Sequence, residues 1–143
     1  MTTYQIRSNI TYNENILDEL RTEKREVERK LVELDALKVK VSNLQSRFGD
    51  KQEHRKTMLL GVTRSTIQNK ILKTYYDGMN GLLSGTEFSN AYEGLSESKR
   101  RIDSKIAGLD RELSRCNENI AYRNERCEYW RAQLAIALAE EAE

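Results

Sequence analysis

A chain of 143 residues with 33% charged and 38% hydrophobic side chains, two phenylalanines and no proline has the composition of long helices, each with one buried stripe. Its 24 lysines and arginines are interleaved with 23 acids to a formal net charge of +1, which excludes the one-signed field that nucleic acid requires. No apolar run reaches the length of a membrane span, and Met1 to Ile10 lacks the basic-then-apolar order of a signal peptide. Membrane insertion is therefore not expected, and the expected location is the cytoplasm, or outside the cell by a signal-peptide-independent route.

Residues Met1 to Asn9 show no apolar period and read as a loose arm. Thr11-Tyr12-Asn13-Glu14 has the S/T-x-x-E form of a capping box and is expected to open the first helix. From there Leu17, Leu20, Lys24, Val27, Leu31, Leu34, Lys38, Val41, Gln45 and Phe48 alternate by three and four residues, and Leu37 and Leu44 widen the stripe. Lys24, Lys38 and Gln45 weaken the seam while helping to set its register. Phe48-Gly49-Asp50 could end the helix, but a lone glycine costs only about 1 kcal/mol relative to alanine. Beyond it Met58, Leu59, Val62, Ile67, Ile71, Tyr75 and Met79 keep helical spacing, so the first arm is expected to run as one helix over about 12–76, with any kink near Gly49.

Asp77-Gly78-Met79-Asn80-Gly81-Leu82-Leu83-Ser84-Gly85 holds three glycines with an aspartate and an asparagine, the chemistry of a turn. The expected hairpin tip is 77–84, centred near residue 80, with Leu83, Ser84 and Gly85 at its end. Ser84-Gly85-Thr86-Glu87 fits a second capping box, with Leu83 and Phe88 as a hydrophobic staple. Two arms paired antiparallel about such a tip bring Cys127 near Leu34 and Trp130 near Leu31.

The second arm, about 85–141, carries the strongest pattern in the chain. Phe88, Tyr92, Leu95, Lys99, Ile102, Ile106, Leu109, Leu113, Cys116, Ile120, Arg123, Cys127, Trp130, Leu134 and Ala137 follow one another by four and three, and only Lys99 and Arg123 are polar. A repeat averaging 3.5 residues implies a left-handed coiled-coil seam on a helix roughly 75 Å long. Leu134-Ala135-Ile136-Ala137-Leu138-Ala139 is apolar on every side, more than one neighbouring helix covers. Trp130, Leu134, Ile136 and Leu138 are accordingly the candidate partner-binding residues. Glu140, Glu141 and Glu143 oppose the helix dipole at this end, and fraying is expected.

Residues with the spacing of a catalytic or metal site are missing. His54 is the single histidine and lies among charges, the ordinary setting of a surface residue. Cys116 and Cys127 are eleven residues apart on one helix, about 16 Å along its axis, too far to bridge or to share a metal. The glycines form no phosphate loop, and Glu26 with Lys30 and Glu97 with Arg101 have the spacing of helix-surface ion pairs. The expectation is an all-α long antiparallel helical hairpin, coiled-coil-like, forming a single domain over 1–143. It is expected to have no cofactor, no metal and no catalytic activity.

A long helix, a tip with Leu83-Ser84-Gly85 and a second long helix opening with Phe88 and Tyr92 resemble the helical hairpins of WXG-type proteins of type VII secretion. Among these the layout is most similar to the small YwqH-like proteins associated with LXG toxins. The resemblance implies a targeting factor or chaperone that binds the helical N-terminal region of an LXG toxin, with a second small helical protein as a further partner. Leu83 stands where the family's tryptophan would be. No Tyr-x-x-x-Asp/Glu export signal is present, since Arg126 follows Tyr122 and Gln133 follows Tyr129 at that spacing, so a partner would supply it. A self-associating structural coiled coil, homodimeric, or a prefoldin-like adaptor shares the same periodicity and stays open at this point.

Overall fold

The computed structural model of the chain describes residues 1–66 and 70–143, and their side chains except at 61–66, 70–72, 83 and 84. It is all-α, with the antiparallel helical pairing of a hairpin: α1 is Thr3–Thr66, α2 Lys70–Ser84 and α3 Thr86–Glu141. Among the described residues there is no strand, and no helix is long and apolar enough to cross a membrane.

The chain forms two compact units. The first joins Met1–Glu33 to Ile106–Glu143, and the second comprises Leu34–Lys105. In the first, Asn13 meets Arg123 and Glu14 meets Arg131. Its core is Ile6, Leu17 and Val27 of α1 with Cys116 and Cys127 of α3, all buried. In the second, Lys38 meets Asp103, Gln45 meets Tyr92 and Ser96, and Phe48 stacks on Phe88 with ring centroids 4.7 Å apart. Partner numbers fall along α3 as they rise along α1, so each unit is an antiparallel helix pair.

The repeat is realised closely. Every α3 stripe position from Phe88 to Ala137 is buried or half-buried apart from Tyr92, and so is every α1 stripe position from Leu17 to Phe48. Leu37 and Leu44, one position outside the seam, are exposed. α1 passes through Gly49 and Gly61 as one unbroken helix of 64 residues. A Cβ on Gly49 would touch the Tyr92 ring at 3.6 Å, ordinary contact with the opposing helix.

The helix begins at Thr3, eight residues before the expected cap at Thr11. The Gln5 amide donates to Thr2 Oγ1 at 3.2 Å and the Thr2 amide to Gln5 Oε1 at 2.9 Å, a reciprocal capping box at the very start of α1. Thr11 lies mid-helix and exposed. The magnitudes explain the choice: an N-cap contributes about 1 kcal/mol, whereas burying Ile6 alone contributes roughly 1.5–3 kcal/mol. Continuing the seam backward through Asn13, Ile10, Ile6 and Thr3 outweighs stopping at Thr11.

The glycine-rich segment also differs from expectation. Asp77 to Ser84 belongs to α2, and within 77–85 the helix is interrupted at Gly85 alone. No glycine there has positive φ, so none imposes a turn, and each costs a helix only about 1 kcal/mol. Gly85 is required for a different reason: a Cβ on it would lie 2.6 Å from the Gly81 carbonyl oxygen, so the bend between α2 and α3 admits no side chain. The proposed contacts of Leu83 and Ser84, the staple and the cap, lie outside the described side chains.

Pairing is displaced by about three heptads from a tip centred on residue 80. Asn13 with Arg123, Lys38 with Asp103 and Phe48 with Phe88 have their midpoints near residue 70. Trp130 therefore lies beside the Asn13 region of α1 and not beside Leu31, and Cys127 and Leu34 fall in different units. Heptad stripes slide past one another at little cost in apolar contact, so the polar seam residues decide. The expected register sets Arg123 opposite Lys38, a like-charge pair. The observed one gives Arg123 the Asn13 carboxamide and Lys99 the Gln45 carboxamide.

Candidate functional site

The residues singled out for partner binding all lie in the C-terminal part of α3, within the first unit. Trp130 and Leu134 are seam residues and half-buried, while Ile136 and Leu138 are 53% and 41% exposed. Two residues along a helix is a rotation of about 200°, so Ile136 and Leu138 emerge on opposite flanks of the seam. The helix continues to Glu141, with Ala142 donating to the Leu138 carbonyl.

About two to four turns earlier the same flank as Ile136 carries a cluster of rings and guanidiniums. The Arg123 guanidinium lies 5.7 Å from the Tyr12 ring centroid and 5.2 Å from that of Tyr122. Its Nη1 donates to Asn13 Oδ1 at 3.0 Å, and Asn13 in turn donates Nδ2 to the Asn9 carbonyl at 2.8 Å. Arg126 lies 4.9 Å from the centroid of Tyr129 and 5.4 Å from that of Trp130, and these two rings meet edge-on with centroids 5.0 Å apart. Cation–π contact and T-shaped stacking hold the groups in place. The Tyr12, Tyr122 and Tyr129 rings remain exposed.

No family model, curated protein or solved structure matches the chain. Its function must therefore be read from the residues themselves. Arg123 and Trp130 are legible in the sequence as seam residues and Tyr122 and Tyr129 as aromatic neighbours of the seam, but Tyr12 and Arg126 are not. The available signal was a second stripe one residue ahead of the seam, Tyr122, Arg126, Tyr129, Gln133 and Ile136, with the same alternation of four and three. Tyr12 joins it only through the antiparallel register, which the sequence left open.

On the opposite flank Arg131 Nη2 meets Glu14 at 2.7 Å, and that hydrogen bond raises the Arg131 pKa further above its ordinary value. Burial first, and then the adjacent Glu23 carboxylate, pushes the Cys116 thiol up, the reverse of what a nucleophilic thiol needs. Among the described residues no three His, Cys, Asp or Glu side chains converge to hold a metal ion. A surface depression of about 790 Å³ is bounded by Asp18, Thr22, Arg25 and Arg29 with their neighbours on α1 alone, a strip of solvated helix surface. The tip residues Leu83 and Ser84 have no described side-chain surroundings, and Gly85 acts through the bend. What the arrangement presents is an exposed aromatic and apolar face.

Proposed function

We propose that the protein is a non-catalytic helical binding partner, a targeting factor or chaperone, for the helical N-terminal region of a type VII-secreted LXG toxin. The observation that carries it is the exposure of Ile136 and Leu138, on two flanks of a helix whose seam is already occupied. Apolar side chains on more than one face of a helix favour a further neighbour. The resemblance of Leu83-Ser84-Gly85, Phe88 and Tyr92 to WXG-type hairpins supports a toxin as that neighbour. The protein stays in the cytoplasm until it hands over its cargo or leaves with it.

Co-expression with an LXG N-terminal region tests this. Ile136→Ser with Leu138→Ser removes the exposed halves of two side chains that contribute about 1.5–3 kcal/mol each when fully buried, so binding should weaken by roughly 1.5–3 kcal/mol, tenfold or more. Helicity and melting should barely change, since neither residue is in the seam. A double variant that binds normally, or that unfolds, would refute the assignment.

A specific observation favours a second reading, a self-associating structural coiled coil or prefoldin-like adaptor. Leu34, Leu37, Val41, Leu44 and Phe48 form a stripe with no polar member, and Leu37 and Leu44 are 45% and 51% exposed. A stable homodimer of the isolated protein, dispersed by Leu37→Ser with Leu44→Ser, would establish this reading over the first.

A further inference from the structure

We infer that the face around Arg126 takes an acidic amphipathic helix: a partner segment with carboxylates one helical turn apart beside an apolar stripe. The inference rests on the partner-binding reading and adds the chemistry of the partner.

The guanidiniums held over rings on this face point to this occupant. Several arginines of the chain already have carboxylates: Arg29 has Glu26 and Glu33, Arg100 and Arg101 share Glu97, and Arg131 has Glu14. Arg123 and Arg126 are half-buried, yet each lies over two aromatic rings and, among the described residues, forms no ion pair. A guanidinium stacked on a ring keeps its charge and its in-plane N–H groups, and its side chain is already ordered before a ligand arrives. Such a group matches the planar, bidentate geometry of a carboxylate. Arg123 spends one N–H on Asn13 Oδ1, while the Arg126 side chain forms no hydrogen bond among the described residues.

The surrounding groups fit a helix. Tyr122, Arg126 and Tyr129 are spaced four and three apart, so they share one face over about 10 Å, two helical turns. Tyrosine, tryptophan and arginine are the types that dominate binding energy at protein interfaces, because large rigid rings lose little entropy on contact. Trp130 and the exposed tyrosine rings would cover the apolar stripe of the incoming helix, and Arg126 would receive a carboxylate at its edge.

The chain has a single tryptophan, Trp130, whose emission reports directly on this face. The probes are two synthetic 21-residue amphipathic helical peptides with leucine at the seam positions, one with glutamate beside them and the other with glutamine. The glutamate peptide should shift Trp130 emission and bind at least tenfold more tightly, and this advantage should shrink as salt is raised. Arg126→Gln, with unchanged circular dichroism, should abolish the advantage, and Arg100→Gln should preserve it.

Equal affinity for the two peptides, binding of neither, or an advantage that survives Arg126→Gln would overturn the inference. So would tighter binding to phosphatidylserine vesicles than to the glutamate peptide, or a homodimer that Arg126→Gln disperses. Failure to bind a toxin with peptide discrimination intact removes the toxin assignment alone. Loss of discrimination with toxin binding intact removes only the acidic-helix inference.

Discussion

Replacing Gln45 tests whether the seam's polar residues set the pairing. Gln45 is only 7% exposed, and its carboxamide is fully engaged: Nε2 donates to the Tyr92 carbonyl at 3.2 Å and to Ser96 Oγ at 2.6 Å, while Oε1 accepts from Lys99 Nζ at 3.2 Å. Gln45→Ala removes two neutral hydrogen bonds, each contributing about 1 kcal/mol net, and one from an ammonium, contributing about 1.5–3 kcal/mol. Part of the last is recovered because Lys99 is half-buried and reaches water, so the expected loss is about 3 kcal/mol. Gln45→Leu loses the same bonds but gains buried apolar area, and should cost about 1 kcal/mol. Gln45→Leu with Lys99→Leu leaves no buried cation without a partner and should equal or exceed the parent in stability, because apolar replacement of a buried polar pair is often neutral or stabilising. Urea melts of the parent, Gln45→Leu, Lys99→Leu and the double variant, followed by circular dichroism, give the four stabilities of the cycle. Additive single effects, or a loss below about 1 kcal/mol for Gln45→Ala, would refute the argument that this group selects the register.

Three other outcomes follow from local geometry. Gly85→Ala should cost about 1–3 kcal/mol, because its Cβ meets backbone at 2.6 Å, whereas Gly78→Ala and Gly81→Ala point into open space and should add about 0.5–1 kcal/mol; thermal melts of the three distinguish them. Thr2→Ala should remove about 1 kcal/mol from the end of α1, read as faster amide exchange at residues 3–6 with the rest of the helix unaffected. The raised Cys116 pKa makes the protonated thiol the form favoured by folding, so its contribution is complete below the unfolded thiol value near 8.5 and declines as pH rises above it. Melting temperature should therefore fall less steeply above pH 8.5 in Cys116→Ala than in the parent, and a thiol reagent at neutral pH should modify Cys116 and Cys127, both buried, only on unfolding.

The sequence by itself determined the helical class, the absence of any barrier to a helix of 64 residues, and the face each arm buries. These follow from composition and period, which are properties of a single segment: without proline and with an apolar residue every three or four positions, a helix with one buried stripe is the state that removes that surface from water. The exposed apolar surface at Ile136 and Leu138 was legible for the same reason, since excess apolar surface on one helix needs no knowledge of its neighbour. Only the tertiary structure decided where α1 starts, where its neighbour's residues stand, and what surrounds Arg123 and Arg126. Each is a competition between segments distant in sequence. Ile6 overrode the cap at Thr11 by finding a core to enter, and Asn13 and Gln45 each found a cation across the seam that a shift of three heptads would have denied them. A heptad pattern is nearly unchanged by such a shift, so periodicity carries almost no information about register. Tyr12 therefore reaches the aromatic cluster through the pairing of Asn13 with Arg123, a choice made by two polar side chains 110 residues apart.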